Sequence, residues 1–134
     1  MNTATIKYLG NKRCEATHLK SGQKIITDAP IDNKGLGEAF SPTDLLATSL
    51  GTCMATIMGI AAETHGININ GMEIGIVKVM GTDPRRVVEI KVDFNFQDSN
   101  FSDKQKSILE HAARTCPVAF SLHPDLIKTV NFNF

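Results

Sequence analysis

Residues 41–66 run SPTDLLATSLGTCMATIMGIAAETHG. Ser41 supplies a hydroxyl N-cap, Pro42 takes the first helical position, where its missing N–H is no loss, and Asp44 stands three residues after the cap, where an acid closes a capping box. A helix starting here runs to about His65 and stops at Gly66. At about 100° per residue, Leu46, Leu50, Cys53, Ile57 and Ile60 share one stripe, while Thr48, Gly51, Thr52, Ala55, Gly59 and Ala62 form a second face of small residues. Such a helix is covered on more than one side. Small residues let a neighbouring backbone come close, so this face predicts a second helix, of this chain or of another subunit. Residues 45–62 carry no charge, but Thr48, Ser49, Gly51, Thr52, Thr56 and Gly59 dilute the run, which suits a buried helix better than a membrane span.

Upstream, 3–9, 13–19 and 24–28 have the composition of short strands, and Lys20-Ser21-Gly22-Gln23 supplies a hairpin turn between the last two. The stretch 29–40, with Pro30, Gly35 and Gly37, has no period and forms a loop of a length that is often functional. Downstream, 72–80 and 87–96 are strands joined by Gly81-Thr82-Asp83-Pro84. Ser102 caps a second helix, with Gln105 at the capping-box position and Ile108, Leu109, Ala112 and Ala113 on its buried side. Pro117 ends that helix, 118–122 adds a helical turn, and 126–134 closes the fold as a strand. The chain shows no repeat, low-complexity tract or linker, so a single domain over 1–134 is expected.

Lysine and arginine number 14 against 14 aspartates and glutamates, for a formal net charge of zero. The field that would draw in nucleic acid or an anionic membrane is therefore missing, and neither partner is expected. No basic segment followed by an apolar one opens the chain, so a cytoplasmic location is expected. Three cysteines in a reducing compartment do not make a disulfide framework; they are packing or redox chemistry.

Cys53 lies mid-helix, about 16 Å from the helix start, too far for the helix dipole to ionise it. A reactive thiolate there needs a cation from another segment; on the helix alone, Cys53 reads as a small apolar filler. Cys116 precedes Pro117 and is placed to cap the following turn, where free backbone N–H groups favour a thiolate, although a buried residue closing the second helix fits the position equally well. Cys14 sits in an early strand without a motif and reads as structural. His18, His65, His111 and His123 show no metal-binding spacing, and there is no phosphate-binding glycine loop, so neither metal nor cofactor is expected.

Taken in order, Ser41-Pro42-Thr43-Asp44-Leu45-Leu46, Leu50-Gly51-Thr52-Cys53-Met54 and Cys116-Pro117-Val118 resemble the osmotically inducible protein C and organic hydroperoxide resistance (OsmC/Ohr) family. His18-Leu19-Lys20-Ser21-Gly22 and Thr27-Asp28-Ala29-Pro30 extend the likeness into the early hairpin. The resemblance implies an α+β fold in which antiparallel sheets wrap two long central helices of an intertwined homodimer. It also implies a thiol-dependent peroxidase acting on small apolar organic hydroperoxides. Cys53 would become a sulfenic acid that Cys116 resolves as a disulfide, and an external dithiol would restore both thiols. In such enzymes an early-hairpin arginine and a glutamate after the helix-start proline support the thiolate. Here those positions read Lys20 and Thr43, with Asp44 next and His18 as a further donor. The alternative is a member of the same fold that binds a small ligand without catalysis, or senses redox state through its thiols.

Overall fold

A computed structural model describes residues 1–97 and 100–134, which fall into two compact units, 1–46 and 47–134.

In the first unit, β1 (Ala4–Gly10), β2 (Arg13–His18) and β3 (Lys24–Asp28) form an antiparallel meander in the order β1-β2-β3. Asn11 and Lys12 make the β1–β2 turn with φ of 55° and 62°. Positive φ at both central residues is what a two-residue type I′ hairpin turn requires. The loop after β3 contains a 3-10 turn, Ile31–Asn33, ending on Lys34 at φ 67°. It is tied down by Asp28, only 1% exposed. Asp28 Oδ2 accepts from Glu38 N at 3.0 Å and from Arg13 Nη2 at 3.4 Å, and Arg13 Nη2 also donates to Glu38 Oε2 at 2.7 Å. The Glu38 N–H, aided by the Arg13 charge, holds the Asp28 carboxyl below its ordinary value against the opposing effect of burial. A depressed folded-state pKa contributes stability above the unfolded value of about 3.8, and that contribution disappears as pH falls through the lower folded value. Asp28→Asn should therefore lower stability at neutral pH, with the gap to wild type closing only in acid below about pH 4, as acid-dependent urea melts would show.

The second unit pairs β4 (Glu73–Gly81) antiparallel with β5 (Arg86–Asn95), and β5 with β6 (Ile127–Asn133), in the order β4-β5-β6. The β5–β6 pairing is parallel, where antiparallel sheets were expected throughout. The reason lies in the connection: α2 (Asp103–Arg114) and α3 (Pro117–Ser121) carry the chain back to the end of the sheet at which β5 began. Ser102 and Gln105 form the predicted reciprocal cap, and Leu109, Ala112 and Ala113 are buried as read, with Ile108 half-buried. Phe94 on the central strand is fully buried and stacks on Phe132 of β6 with ring centroids 5.2 Å apart. Phe96, Phe101 and Phe134 continue the aromatic cluster.

The central helix α1 (Pro42–Thr64) starts in the first unit and continues into the second. Its buried residues are Ala47, Leu50, Gly51, Met54, Met58 and Ala62. This stripe lies about 100° around the helix from the one predicted, and only Leu50 belongs to both. Leu46 and Ile60 are exposed, and Cys53 and Ile57 lie on the flank. The small face also divides. A Cβ on Gly51 would come within 2.6 Å of Ile76 Cδ1, so Gly51 admits strand β4 rather than a helix, whereas a Cβ on Gly59 would meet nothing. By length and composition α1 could cross a bilayer. Its packing on a sheet through Leu50, Gly51, Met54 and Met58 is that of a core helix.

Candidate thiol site

Thr115 closes α2 by donating its hydroxyl to Ala112 O at 2.8 Å, and Cys116 follows in extended conformation as the N-cap of α3. Pro117 at the next position has no N–H to satisfy, so the Cys116 sulfur accepts from Ala119 N at 3.3 Å. Cys116 is completely buried, and its thiol interacts electrostatically with that of Cys53 on the half-buried flank of α1. Both cysteines are free.

Burial pushes the Cys116 thiol above its ordinary value; the Ala119 N–H pulls it back, and the Cys53 thiol beside it pushes it up again. The capping position thus supplies the N–H donors read from the sequence, but desolvation outweighs them and keeps Cys116 protonated. Two neighbouring thiols, one half-buried and one buried, can form a disulfide when one of them is oxidised.

The other predicted residues belong to the first unit. His18 Nδ1 and Ser21 Oγ are 2.6 Å apart, and Ser21 Oγ also accepts from Gln23 N at 3.2 Å, so the hairpin tip carrying Lys20 is internally bonded. At the start of α1, Asp44 Oδ2 accepts from Ser41 N at 2.9 Å while Asp44 N donates to Ser41 Oγ at 3.0 Å. That is a capping box with aspartate in the acidic place. Thr43 Oγ1 lies 3.2 Å from Ser41 Oγ. Cys53 is therefore brought to Cys116, His18 to Ser21, and Thr43 and Asp44 to Ser41. Among the described residues no group of three or more His, Cys, Asp or Glu side chains is arranged to hold a metal.

One charged group was missed. Arg13 with Asp28 and Glu38 forms an arginine–carboxylate cluster in the first unit, and the two carboxylates raise the Arg13 pKa, Glu38 most strongly. Its signal was present in part: the Lys20–Gln23 turn sets a β2–β3 register in which Arg13 pairs with Asp28. Glu38, in the aperiodic loop, gave none.

A family model described as OsmC-like protein matches residues 35–130. A Psychrobacter arcticus structure, provisionally described as an osmotic stress induced and detoxification response protein, is 50% identical with a TM-score of 0.95, the match covering 99% of this chain and 96% of that one. An organic hydroperoxide resistance protein OsmC from Legionella pneumophila superposes with a TM-score of 0.77 at 14% identity, over 100% and 98% of the two chains. The organic hydroperoxide resistance protein OhrB of Bacillus subtilis does so at 0.72 and 16%, over 98% of each. At such identities the latter two speak for the fold. No curated protein matches the chain.

Proposed function

Since the chain belongs to the OsmC-like protein family, we propose that it is a thiol-dependent peroxidase that reduces organic hydroperoxides to alcohols. The observation that carries this reading is the pairing of a half-buried Cys53 with a buried Cys116 whose thiol Cys53 and burial both push up. The Cys53 thiolate attacks the terminal oxygen of the peroxide, the O–O bond breaks, and the departing alkoxide takes a proton to become the alcohol. Cys53 is left as a sulfenic acid. The Cys116 sulfur then displaces hydroxide from it, which leaves as water with the Cys116 proton, and a Cys53–Cys116 disulfide forms. An external dithiol reduces that bond and is itself oxidised to a disulfide. Ile57, one turn from Cys53 on the same half-buried flank of α1, favours an apolar peroxide over hydrogen peroxide.

As supporting residues we propose Lys20 and His18 of the early hairpin with Thr43 and Asp44, so Lys20→Met should slow the first step while Lys20→Arg preserves it. The working protein is a cytoplasmic homodimer of single-domain chains. The dimer is favoured by Ile6, Tyr8 and Ile60, large apolar side chains that stand open in the single chain.

Intact mass after one equivalent of cumene hydroperoxide tests the proposal. A loss of about 2 Da, reversed by dithiothreitol and absent in Cys116→Ser, is the expected result. An unchanged mass, with the peroxide left unconsumed, would rule the peroxidase out.

A further inference from the structure

The first unit contains a cavity of about 480 Å³ whose wall includes Lys12, Arg13, Lys34, Leu36 and Glu38. Two of its lysines hold backbone conformations that suit glycine, Lys12 at φ 62° in the β1–β2 turn and Lys34 at φ 67° after the 3-10 turn. In the left-handed region a side chain with a Cβ is disfavoured, and such strain persists where surrounding structure or function maintains it. Neither ammonium makes an ion pair among the described residues. The wall's carboxylate, Glu38, is engaged by Arg13 at 2.7 Å, and the buried Asp28 behind it takes the same guanidinium nitrogen at 3.4 Å. Two positive charges on separate turns thus border one cavity uncommitted, beside an arginine whose Nη1 and Nε are not used by either carboxylate. Leu36, 67% exposed, adds an apolar wall.

We propose that this cavity binds a small phosphate monoester, with the dianionic phosphate between the Lys12 and Lys34 ammonium groups and the organic part against Leu36. Lysine ammonium groups act on phosphate as point charges, and two of them match its charge. The volume is several times that of a phosphate group, which leaves room for the ester's carbon skeleton. The strained turns then have a reason: each presents a lysine where glycine would fold more easily.

Titration calorimetry on the full chain, with glycerol phosphate and inorganic phosphate as probes, tests this. Saturable binding of glycerol phosphate at about 1 mM or tighter is expected, weakening as salt rises. Lys12→Gly and Lys34→Gly should each weaken it about fivefold or more while raising Tm by a few degrees, about 4 °C, because they relieve the backbone. Lys7→Ala, on exposed β1 across from Glu15, should leave affinity unchanged. Absence of saturable binding to wild type would overturn the site, as would an equal loss in Lys7→Ala. Inorganic phosphate binding as tightly as the ester would overturn the assignment to a monoester.

Discussion

Cys53→Ser is expected to lose cumene hydroperoxide turnover by roughly three orders of magnitude or more, because a neutral hydroxyl replaces the only nucleophile the proposed first step uses. The substitution is close to isosteric and Cys53 lies on the flank of the α1 stripe, so the fold should survive, and unchanged circular dichroism would show it. Cys116→Ser should behave differently. Its Cys53 still meets the peroxide, so one equivalent of alcohol forms per site, and turnover then stalls at a sulfenic acid that dimedone traps. A burst followed by arrest in Cys116→Ser, against no burst in Cys53→Ser, assigns the order of the two sulfurs. Equal multiple-turnover rates in wild type and Cys53→Ser would place the chemistry elsewhere.

The largest expected loss of stability comes from Phe94→Ala, at about 3–5 kcal/mol by urea denaturation. Phe94 is fully buried on the central strand of the second unit and stacks on Phe132 with 12° between the ring planes. Phe132 in turn stacks on Phe134 at 6.0 Å, so removing the first ring opens a cavity at one end of a row rather than beside an isolated side chain. Rings held in these arrangements gain about 0.5–1.5 kcal/mol beyond burial alone. Phe94→Leu keeps most of the volume and should cost markedly less. A loss below about 1 kcal/mol for Phe94→Ala would mean that the strands close over the gap.

Where the chain's local signals are strong, the elements follow them. The caps at Ser41 and Ser102, the hairpin at Lys20–Gln23 and the turn after Cys116 all rest on residues whose side chains or dihedrals act within three positions. The buried face of α1 was not legible, since nearly every position from 45 to 62 is apolar or small and periodicity has no polar side to measure against. Met54 and Met58 face the core because β4 and its neighbours lie there, which is a tertiary fact. The same holds for the parallel β5–β6 pairing. Alternation at Val130, Phe132 and Phe134 marks a strand and a buried face, but it carries no information on direction. For the thiols, the sequence supplied both cysteines and the cap at Cys116. That desolvation prevails over the cap's N–H donors depends on what surrounds the sulfur in space.

The parallel partnership of β5 and β6 has a consequence for how the molecule is made. More than thirty residues separate Asn95 from the end of β6, so a ribosome will have delivered β4 and β5 well before the strand that finishes the sheet. During that interval the open side of β5, with Phe94 still uncovered by Phe132, is a template on which another nascent chain could dock. Translation speed through α2 and α3 thus sets how long that edge stays open, and a stall there should be more harmful than one of equal length in the amino-terminal meander.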